Sequence, residues 1–413
     1  MAKRIPRIGI VGKGFVGSAV QFGFSPNTGC DAEVRVHDKD PLKSIDTLED
    51  TVNKSDFIFL SVPTPSNKDG SMNLDIVEQA LKDISEVNNR EDNVVLLRST
   101  VVPGTTRKLQ TKYTNLNLVF NPEFLTERSA KYDFINQSRI IVGGGEGYAF
   151  EVGATADLYR WRFGDSIPVI ETDWETAELI KYMGNCFFAT KVSFMNEMYQ
   201  IAEKCNVDWE VALDGFVRDG RVGHSHMNIP GPDGKFGFGG SCFPKDVQAM
   251  LDYANKHEIQ TPLLEAVLNI NAERPNKMVL LSEYILGELK DKKISILGLT
   301  FKPETDDLRS SPALDAIQIL LEKGANIFAF DPILKSKPNY IKLPQNCTVC
   351  TTIEDALRDS DIAMIFTKWS EFKSLDSKFL KQFMKNPIII DGRGFLDKEK
   401  FDAGTYFKIG YLE

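Results

Sequence analysis

Residues 237–246 combine a thiol with a glycine run and two charged side chains. Cys242 follows the glycines and stands two residues before Pro244, and proline is favoured at the first position of a helix. A helix N-terminus and the nearby Lys245 both favour the nucleophilic thiolate form. Cysteine is more often a small buried apolar residue, but the flanking glycines and charges argue against that interpretation here. We therefore predict that Cys242 is a covalent nucleophile.

A glycine-rich turn near the N-terminus predicts a dinucleotide site. Gly12, Gly14 and Gly17 follow an apolar strand and open a helical pattern. The first glycine allows a tight turn, the second lets a pyrophosphate approach the backbone, and the third allows close packing of helix on strand. Asp38, at the end of the next strand, is placed to bind an adenosine ribose and would repel a 2′-phosphate. The pattern favours NAD over NADP, although Lys39 could soften the discrimination. The alternative is a structural turn without a ligand.

Two cations stand out in the C-terminal region. Lys302 follows a strand and Gly298, but the two later glycines of a dinucleotide turn are missing there, and Arg393 follows a later strand. Cations at the ends of parallel strands suit a diphosphate or sugar hydroxyls. The alternative is that both are solvated loop cations. The region therefore does not predict a second NAD site.

Composition and charge exclude several classes of protein. The chain has 413 residues, which suggests two or three domains, and 42% hydrophobic with 26% charged residues is typical of globular proteins. A net charge of −9 has the wrong sign for binding nucleic acid. No apolar run approaches the ~18 residues that a membrane span needs. We expect a cytoplasmic protein that binds neither nucleic acid nor membrane.

The six cysteines are too sparse for a disulfide scaffold, so most are predicted to be reduced thiols. Cys347 and Cys350 have the spacing of a zinc or redox pair, but there is no second such pair and no nearby histidine. We predict no metal site.

One pattern of strands and helices occurs twice along the chain. The matching strands are 7–12, 33–38 and 57–60 in the first copy and 293–298, 326–331 and 362–365 in the second. In each copy, a Thr-x-Glu-Asp segment and a Ser-Asp pair precede the third strand. Strands that alternate with helical stretches predict parallel βαβ units. The predicted fold is α/β with two Rossmann-like doubly wound domains, and duplication is preferred over chance similarity.

Between the two copies, the apolar period becomes that of a helix. Thr172 and Glu175 match a capping box, and apolar residues at helical spacing continue to about Lys204. They cover more than one stripe, which predicts burial between domains or against a second subunit. A second helical region covers 247–289. The predicted domains are residues 1–172 for the first α/β domain, 173–288 for the central helices, and 289–413 for the second α/β domain.

Several motifs together resemble the nucleotide-sugar dehydrogenase family, which includes UDP-glucose and GDP-mannose 6-dehydrogenases. The matching segments are residues 12–17, 99–101, 121–127, 181–185, 239–246, 301–302, 309 and 391–393. Phe243 makes the likeness to UDP-glucose members closest. The resemblance implies NAD-dependent, four-electron oxidation of a sugar C6 alcohol to the uronate through a thioester on Cys242. It also implies that residues 1–172 bind NAD, that 173–288 form the dimerisation region with the catalytic cysteine, and that 289–413 bind the UDP-sugar. GDP-mannose and UDP-N-acetylhexosamine substrates are alternatives.

The resemblance implies roles for matching residues in the oxidation. Lys181, or a water held by Asp246, would remove the hydroxyl proton. Lys181 and Asn185 would stabilise the oxyanion of the Cys242 adduct, and being four residues apart on one helix they share a face.

For the hydrolysis, the resemblance implies that Glu123 acts with a water held by Thr100. Asn121 and Pro122 match a helix cap and first residue, which predicts that Glu123 and Glu127 lie one turn apart as a carboxylate pair. The alternative for Glu127 is a first-turn glutamate that interacts with the helix dipole.

The resemblance also implies the binding residues. NAD would contact Gly12, Gly14, Phe15, Val16, Gly17, Asp38, Pro63, Thr64, Ser99, Thr100, Glu127, Lys245 and Arg309. The substrate would contact Glu123, Phe124, Leu125, Lys181, Asn185, Arg221, Phe238, Gly239, Lys302 and Arg393. Arg221 would reach in from a neighbouring subunit, which implies a homodimer or higher homo-oligomer, but residues 224–234 are longer than the family's usual connection.

Two other functions fit parts of the sequence. A two-electron hydroxyacid dehydrogenase would share the N-terminal domain and long helix, yet would need neither Cys242 nor a second α/β domain. A sensor could bind NAD and a sugar nucleotide without turnover. Counting NADH formed per sugar consumed separates these from the four-electron reaction.

Overall fold

The structure is a computed structural model that describes residues 5–67, 69–205, 207–229, 231, 236–240, 242–272, 277–300, 303, 308, 311–335 and 343–408. The chain divides into two compact units. The first contains residues 1–187 and 245–264, and the second contains 188–244 and 265–413. Within the described ranges, no helix has both the length and the apolar character that crossing a membrane requires.

The first unit is built on a seven-stranded sheet. Its strands are β1 (Arg7–Val11), β2 (Glu33–His37), β3 (Phe57–Leu60), β4 (Val94–Leu97), β5 (Leu118–Phe120), β6 (Ile140–Gly144) and β7 (Val169–Asp173). Their order is β2-β1-β3-β4-β5-β6-β7, and only the β5–β6 pair is antiparallel. The central strands are apolar runs buried on both faces, as expected for a parallel sheet covered by helices.

Helices of the N-terminal region connect and cover these strands. They are α1 (Phe15–Gly23), α2 (Leu48–Asn53), α3 (Asp75–Val87), α4 (Thr105–Lys112), α5 (Ala130–Ile135), α6 (Ala149–Phe163) and α7 (Trp174–Lys204). Apolar side chains on both faces of the sheet form two buried clusters.

The second unit is built on a parallel six-stranded sheet in the order β10-β9-β8-β11-β12-β13, formed by β8 (Lys293–Leu297), β9 (Asn326–Phe330), β10 (Cys347–Val349), β11 (Ile362–Ile365), β12 (Ile389–Asp391) and β13 (Tyr406–Lys408). The remaining helices of the chain are α8 (Trp209–Val217), α9 (Phe243–Lys256), α10 (Pro262–Ala272), α11 (Lys277–Leu286), α12 (Pro312–Glu322), α13 (Ile353–Leu357) and α14 (Ser377–Phe383). Most of α9 belongs to the first unit. The two doubly wound sheets confirm the predicted fold class.

The repeated sequence pattern is repeated in the local structure. Thr47 and Thr352 each cap a short helix by accepting a hydrogen bond from the backbone N–H three residues on. Asp56 and Asp361 each donate a backbone hydrogen bond of 2.8 Å to the residue that begins the first strand of its copy. The two copies therefore share the same capping and strand-entry contacts.

The predicted long helix is present as α7, but its cap is not Thr172. Helix α7 begins at Trp174, so the residue in the cap position is Asp173, the last residue of β7. Its carboxylate accepts hydrogen bonds from the backbone N (2.7 Å) and Oγ1 (2.8 Å) of Thr176. Glu175 does not complete a capping box, because its carboxylate pairs with Arg107. The helix therefore begins one residue later than a cap at Thr172 predicts, and it ends at Lys204 as predicted.

Candidate active site

The glycine turn after β1 has the geometry of a dinucleotide loop. Gly12 has φ +93°, and a Cβ there would lie 2.4 Å from the carbonyl oxygen of Ser61. A Cβ on Gly17 would lie 2.0 Å from the carbonyl oxygen of Gly12. A Cβ on Gly14 would meet nothing within 4 Å. Two glycines are therefore required by the fold, whereas Gly14 faces open space that a pyrophosphate could use.

Helix α1 and Asp38 complete this loop. No side chain among the described residues caps α1 at Gly14, and its first turn carries no acidic residue, so its N-terminal N–H groups suit an anion. Phe15 and Val16 are half-buried in that turn. The half-buried Asp38 carboxylate accepts hydrogen bonds from the backbone N of Lys13 (2.5 Å) and of Asp40 (2.8 Å). Each of its oxygens keeps a further lone pair, so these residues fit NAD.

Two loops at the ends of β3 and β4 are tied together. The buried Ser99 Oγ donates to the carbonyl of Val62 (2.7 Å) and accepts from its backbone N (3.1 Å). Pro63 and the buried Thr64 follow Val62 directly, and the half-buried Thr100 follows Ser99. The predicted cofactor residues 63, 64, 99 and 100 therefore lie on two linked loops at the carboxyl edge of the sheet.

A buried ion pair joins the loop after β5 to helix α7. Lys181 Nζ donates to the carbonyl oxygen (2.6 Å) and to Oε1 (3.1 Å) of Glu123, and it lies 5.5 Å from the ring centroid of Phe124. Lys181 and Glu123 are only 4% and 7% exposed. The other carboxylate oxygen of Glu123 accepts from the backbone N of Leu125 (2.7 Å). An ammonium has three donors, so one N–H of Lys181 remains for a ligand.

The predicted helix at Asn121 and Pro122 is absent, because residues 121–126 form no regular element and α5 begins only at Ala130. Asn121 does not cap a helix, since its buried side chain is bound elsewhere in the core. Glu127 is exposed. The prediction that Glu123 and Glu127 lie one helical turn apart was therefore wrong.

A second buried pair lies one turn further along α7. Asn185 Nδ2 donates to Asp246 Oδ2 (2.5 Å), and Lys245 Nζ pairs with Oδ1 of the same carboxylate. Asn185 and Asp246 are buried, at 8% and 1% exposure. The amide of Asn185 has a second N–H. Four predicted residues of the first unit, Glu123, Lys181, Asn185 and Asp246, are thus joined in two hydrogen-bonded pairs on one helix face.

Cys242 is half-buried and immediately precedes α9, the helix that carries Asp246. The sequence prediction of a helix directly after this thiol is confirmed. A different cysteine, Cys186, follows Asn185 on α7, and its pKa is raised to about 12 by burial and by the nearby Asp246. That thiol stays protonated at neutral pH, so it does not compete as a nucleophile.

The second unit contains the other predicted binding residues. Phe238 is buried, and its backbone N donates to Asn271 Oδ1 (2.9 Å), while the neighbouring Gly239 is half-buried. The side chain of Arg221 is 90% exposed and pairs with Asp219. Arg393 is half-buried, and its Nε donates to the carbonyl of Phe366 (2.6 Å), just beyond β11. Lys302 and Arg309 lie outside the described residues.

Three buried polar residues of the first unit were not predicted from the sequence. Arg98 binds Asn121 and Tyr159, and its signal was a charge directly after the apolar strand β4. Tyr159 gave no signal. Glu178, fully buried on α7, accepts from the backbone N of Gly104 (2.6 Å) and from Thr106 N and Oγ1 (2.8 and 2.6 Å), and burial raises its pKa to about 7.

Comparison with known proteins identifies relatives of both units. Models of the UDP-glucose/GDP-mannose dehydrogenase family match residues 35–161 (NAD binding domain), 175–273 (central domain) and 295–398 (UDP binding domain). The chain is 38% identical over 381 residues to a UDP-glucose 6-dehydrogenase of Rickettsia conorii, covering 91% of this chain and 84% of that one. A UDP-glucose 6-dehydrogenase of Bacillus subtilis is 36% identical over 367 residues, covering 87% and 77%. A solved UDP-glucose dehydrogenase from Pyrobaculum islandicum superposes with a TM-score of 0.79 at 26% identity, covering 100% and 99%.

Proposed function

Because this chain belongs to the UDP-glucose/GDP-mannose dehydrogenase family, we propose that it is an NAD-dependent oxidoreductase that converts the C6 alcohol of UDP-glucose to the carboxylate. NAD, when bound, supplies an acceptor for the hydride that leaves the carbon being oxidised. Gly12, Gly14, Gly17 and Asp38 would hold it, since their geometry fits a pyrophosphate and a ribose.

The chain's own residues carry the oxidation in two stages. The neutral amine form of Lys181, or a water held by Asp246, takes the hydroxyl proton as the alcohol becomes an aldehyde. The sulfur of Cys242 then adds to the aldehyde carbon. The third N–H of Lys181 and the second N–H of Asn185 stabilise the resulting oxyanion. Loss of a second hydride converts this adduct to a thioester.

Hydrolysis releases the product and restores the enzyme. Glu123 accepts a proton from a water held by Thr100, and the water oxygen adds to the thioester carbon. The C–S bond then breaks, which releases the uronate and regenerates the Cys242 thiol. Each turnover thus consumes one sugar nucleotide and one water and transfers two hydrides.

One observation carries this proposal. Lys181 and Asn185 lie four residues apart on α7 and are held by Glu123 and Asp246, and Asp246 belongs to the helix that directly follows Cys242. A base, oxyanion donors and a carboxylate are the groups that a four-electron oxidation through a thiol needs.

The first test is stoichiometric. With UDP-glucose and excess NAD, we expect two NADH for each sugar consumed, and a uronate as product. A panel with GDP-mannose and UDP-N-acetylhexosamines measures the substrate preference. One NADH for each sugar, with an aldehyde as the only product, would contradict the thioester route, and binding without NADH would favour a sensor.

Two variants separate the chemical steps. Cys242→Ser should lose nearly all turnover without forming a covalent adduct, because a serine hydroxyl ionises far less readily than a thiol. Glu123→Gln should produce a burst of NADH and accumulate an adduct on Cys242 that intact-mass spectrometry detects. The exposed Cys205 provides a control, since Cys205→Ser should behave as the wild type. An adduct on any other cysteine would remove Cys242 from its role.

We also propose that the active form is a dimer in the cytoplasm. Five large apolar side chains of α7 are exposed on the single chain, namely Leu179, Met183, Phe187, Phe194 and Ile201. Arg221 extends into solvent, as a residue that serves a partner's site would. The part of the chain that the structure describes includes all six cysteines and contains no disulfide, as in proteins of reducing compartments. A sample that light scattering shows to be monomeric and that has full turnover would contradict the proposed dimer.

A further inference from the structure

Arg98 links the two loops that carry the proposed hydrolytic residues. It follows the last residue of β4, two positions before Thr100. Its Nη1 donates to Oδ1 of Asn121 (2.5 Å), and Asn121 stands directly after β5, two positions before Glu123. One side chain therefore bridges the starting points of both loops.

Asn121 is held from three directions. Its Oδ1 accepts from Arg98 and from the hydroxyl of Tyr159, and its Nδ2 donates to the carbonyl of Ile141 (2.7 Å) in β6. Arg98 Nη1 also donates to the Tyr159 oxygen (3.0 Å). Arg98, Asn121 and Tyr159 are each no more than 2% exposed. The side chain of Asn121 consequently has no freedom to turn, which sets the direction of the chain toward Glu123.

The burial of the Arg98 guanidinium is unfavourable for the stability of the fold. Among the described residues, Nε and Nη2 of Arg98 have no hydrogen-bond partner, and no carboxylate pairs with the guanidinium. It lies instead near the rings of Phe59 and Phe134, at 5.8 and 6.0 Å from their centroids. Burying a charge without a counter-ion is unfavourable, and apolar residues of similar size often stabilise a protein in such places.

We propose that Arg98 and Tyr159 are positioning residues that act through Asn121 to hold Glu123 against Lys181 for thioester hydrolysis. This inference rests on the function proposed above. It explains why a charge is kept in an apolar core, because its benefit lies in the placement of the Glu123 carboxylate. Small misplacements of a catalytic group slow reactions by up to roughly 100-fold.

The main test is Arg98→Met, which keeps an unbranched but shorter apolar side chain and removes the charge and donors. We expect a melting temperature equal to or above that of the wild type. We expect kcat with UDP-glucose to fall by roughly 10- to 100-fold, with KM nearly unchanged and a burst of NADH before the slow steady state. A merely structural arginine would give the opposite result, a lower melting temperature with an unchanged kcat.

Tyr159→Phe tests the same network by removing one hydroxyl, and it decides the question if Arg98→Met does not fold. It should reduce kcat less than Arg98→Met does. Tyr113→Phe is the matched control, because Tyr113 is also a nearly buried tyrosine of this unit whose hydroxyl binds a carbonyl, that of Glu78, at 2.9 Å. It should leave kcat unchanged.

A second readout does not depend on the substrate. Lys181 is protected in the wild type by burial and by its bonds to Glu123. Its labelling by acetic anhydride, measured by peptide mass spectrometry, should increase in Arg98→Met and Tyr159→Phe but not in Tyr113→Phe. Unchanged labelling in both variants would overturn the positioning role, whatever happens to kcat. Increased labelling in a protein that oxidises no sugar nucleotide would support the positioning role and reject the proposed function.

Discussion

The two sheets place an aspartate at the same point, directly after their second strand, yet the two carboxylates have different surroundings. Asp38 is half-buried and accepts two backbone hydrogen bonds. Asp331 is fully buried, and its donors include the backbone and hydroxyl of Thr300 and the indole of Trp369. The comparison teaches that the same backbone position can serve a ligand or the fold, according to how many internal donors saturate the carboxylate.

Among the differences between the loops beside these aspartates, one changes the space that is open to a ligand. Gly12 and Gly298 both have positive φ, and both donate to the last residue of the second strand. Two positions on, the first copy has Gly14 and the second has Thr300. A side chain at Gly14 would meet nothing within 4 Å, whereas the hydroxyl of Thr300 donates to Asp331 (3.0 Å). A side chain therefore occupies in the second copy the position that is open in the first.

The largest effect that would sharpen this comparison is a loss of stability in the second unit. Asp331→Ala leaves several buried N–H and O–H donors unpaired, so we expect the free energy of unfolding to fall by about 3–5 kcal/mol. Urea denaturation followed by tryptophan fluorescence measures it, since Trp369 contacts this carboxylate. Asp38→Ala should cost at most about 1 kcal/mol. Equal losses would break the comparison.

A third acid, the buried Glu178, tests whether the surroundings of a carboxylate control its titration. Burial raises its pKa from 4.5 to about 7. The folded protein therefore keeps the proton to a higher pH than the unfolded chain does, and the free energy of unfolding decreases as the pH rises between these values, by up to about 1.4 kcal/mol per pH unit.

Glu178→Gln has no such proton to lose. Denaturation curves recorded at several pH values give the free energy of unfolding as a function of pH. Across this range, that free energy should change less with pH in the variant. The readout is this slope against pH and not the absolute stability. Parallel slopes would show that Glu178 does not titrate there.

A smaller effect concerns the choice of cofactor. Asp38→Ser should reduce the preference for NAD over NADP by roughly tenfold, because one charge-assisted hydrogen bond to the ribose is lost and the repulsion of a 2′-phosphate is removed. The ratio of kcat/KM values for the two cofactors measures the change. Equal use of NADP by the unchanged protein would mean that Asp38 does not contact the ribose.

The smallest effects test the duplication itself. Thr47→Ala and Thr352→Ala each remove the side chain that caps the helix before the third strand of its copy. Each should lower the free energy of unfolding of its unit by about 1 kcal/mol. Hydrogen exchange of the two helices measures them separately, and very different losses would show that the repeated sequence no longer has a repeated role.

Much of the fold followed from local patterns. The apolar runs predicted the paired strands of both copies, and apolar residues at helical spacing predicted α7. The cap of that helix was misplaced because Thr172 and Asp173 are both good cap residues, and only the residue at which α7 begins decides between them.

The site was harder to predict where distant contacts override local signals. Asn121 and Pro122 have the local signature of a helix start, but the side chain of Asn121 is taken by Arg98 and by β6, which are remote in sequence. Glu178 and Tyr159 act through neighbours that no spacing rule connects. Residues that lie four apart on one helix, such as Lys181 and Asn185, could be paired because a helix fixes their geometry.

Helix α7 also determines where the chain tolerates changes in length. Its first four turns carry Glu178, Lys181 and Asn185, which bind α4, the loop after β5, and α9 respectively. One inserted residue in a helix rotates everything beyond it by about 100° and advances it by about 1.5 Å. An insertion between positions 178 and 185 would turn Asn185 away from Asp246 while Glu178 stayed in place. The surface loops can accept insertions at little cost, but this stretch of α7 can change in composition only, never in length.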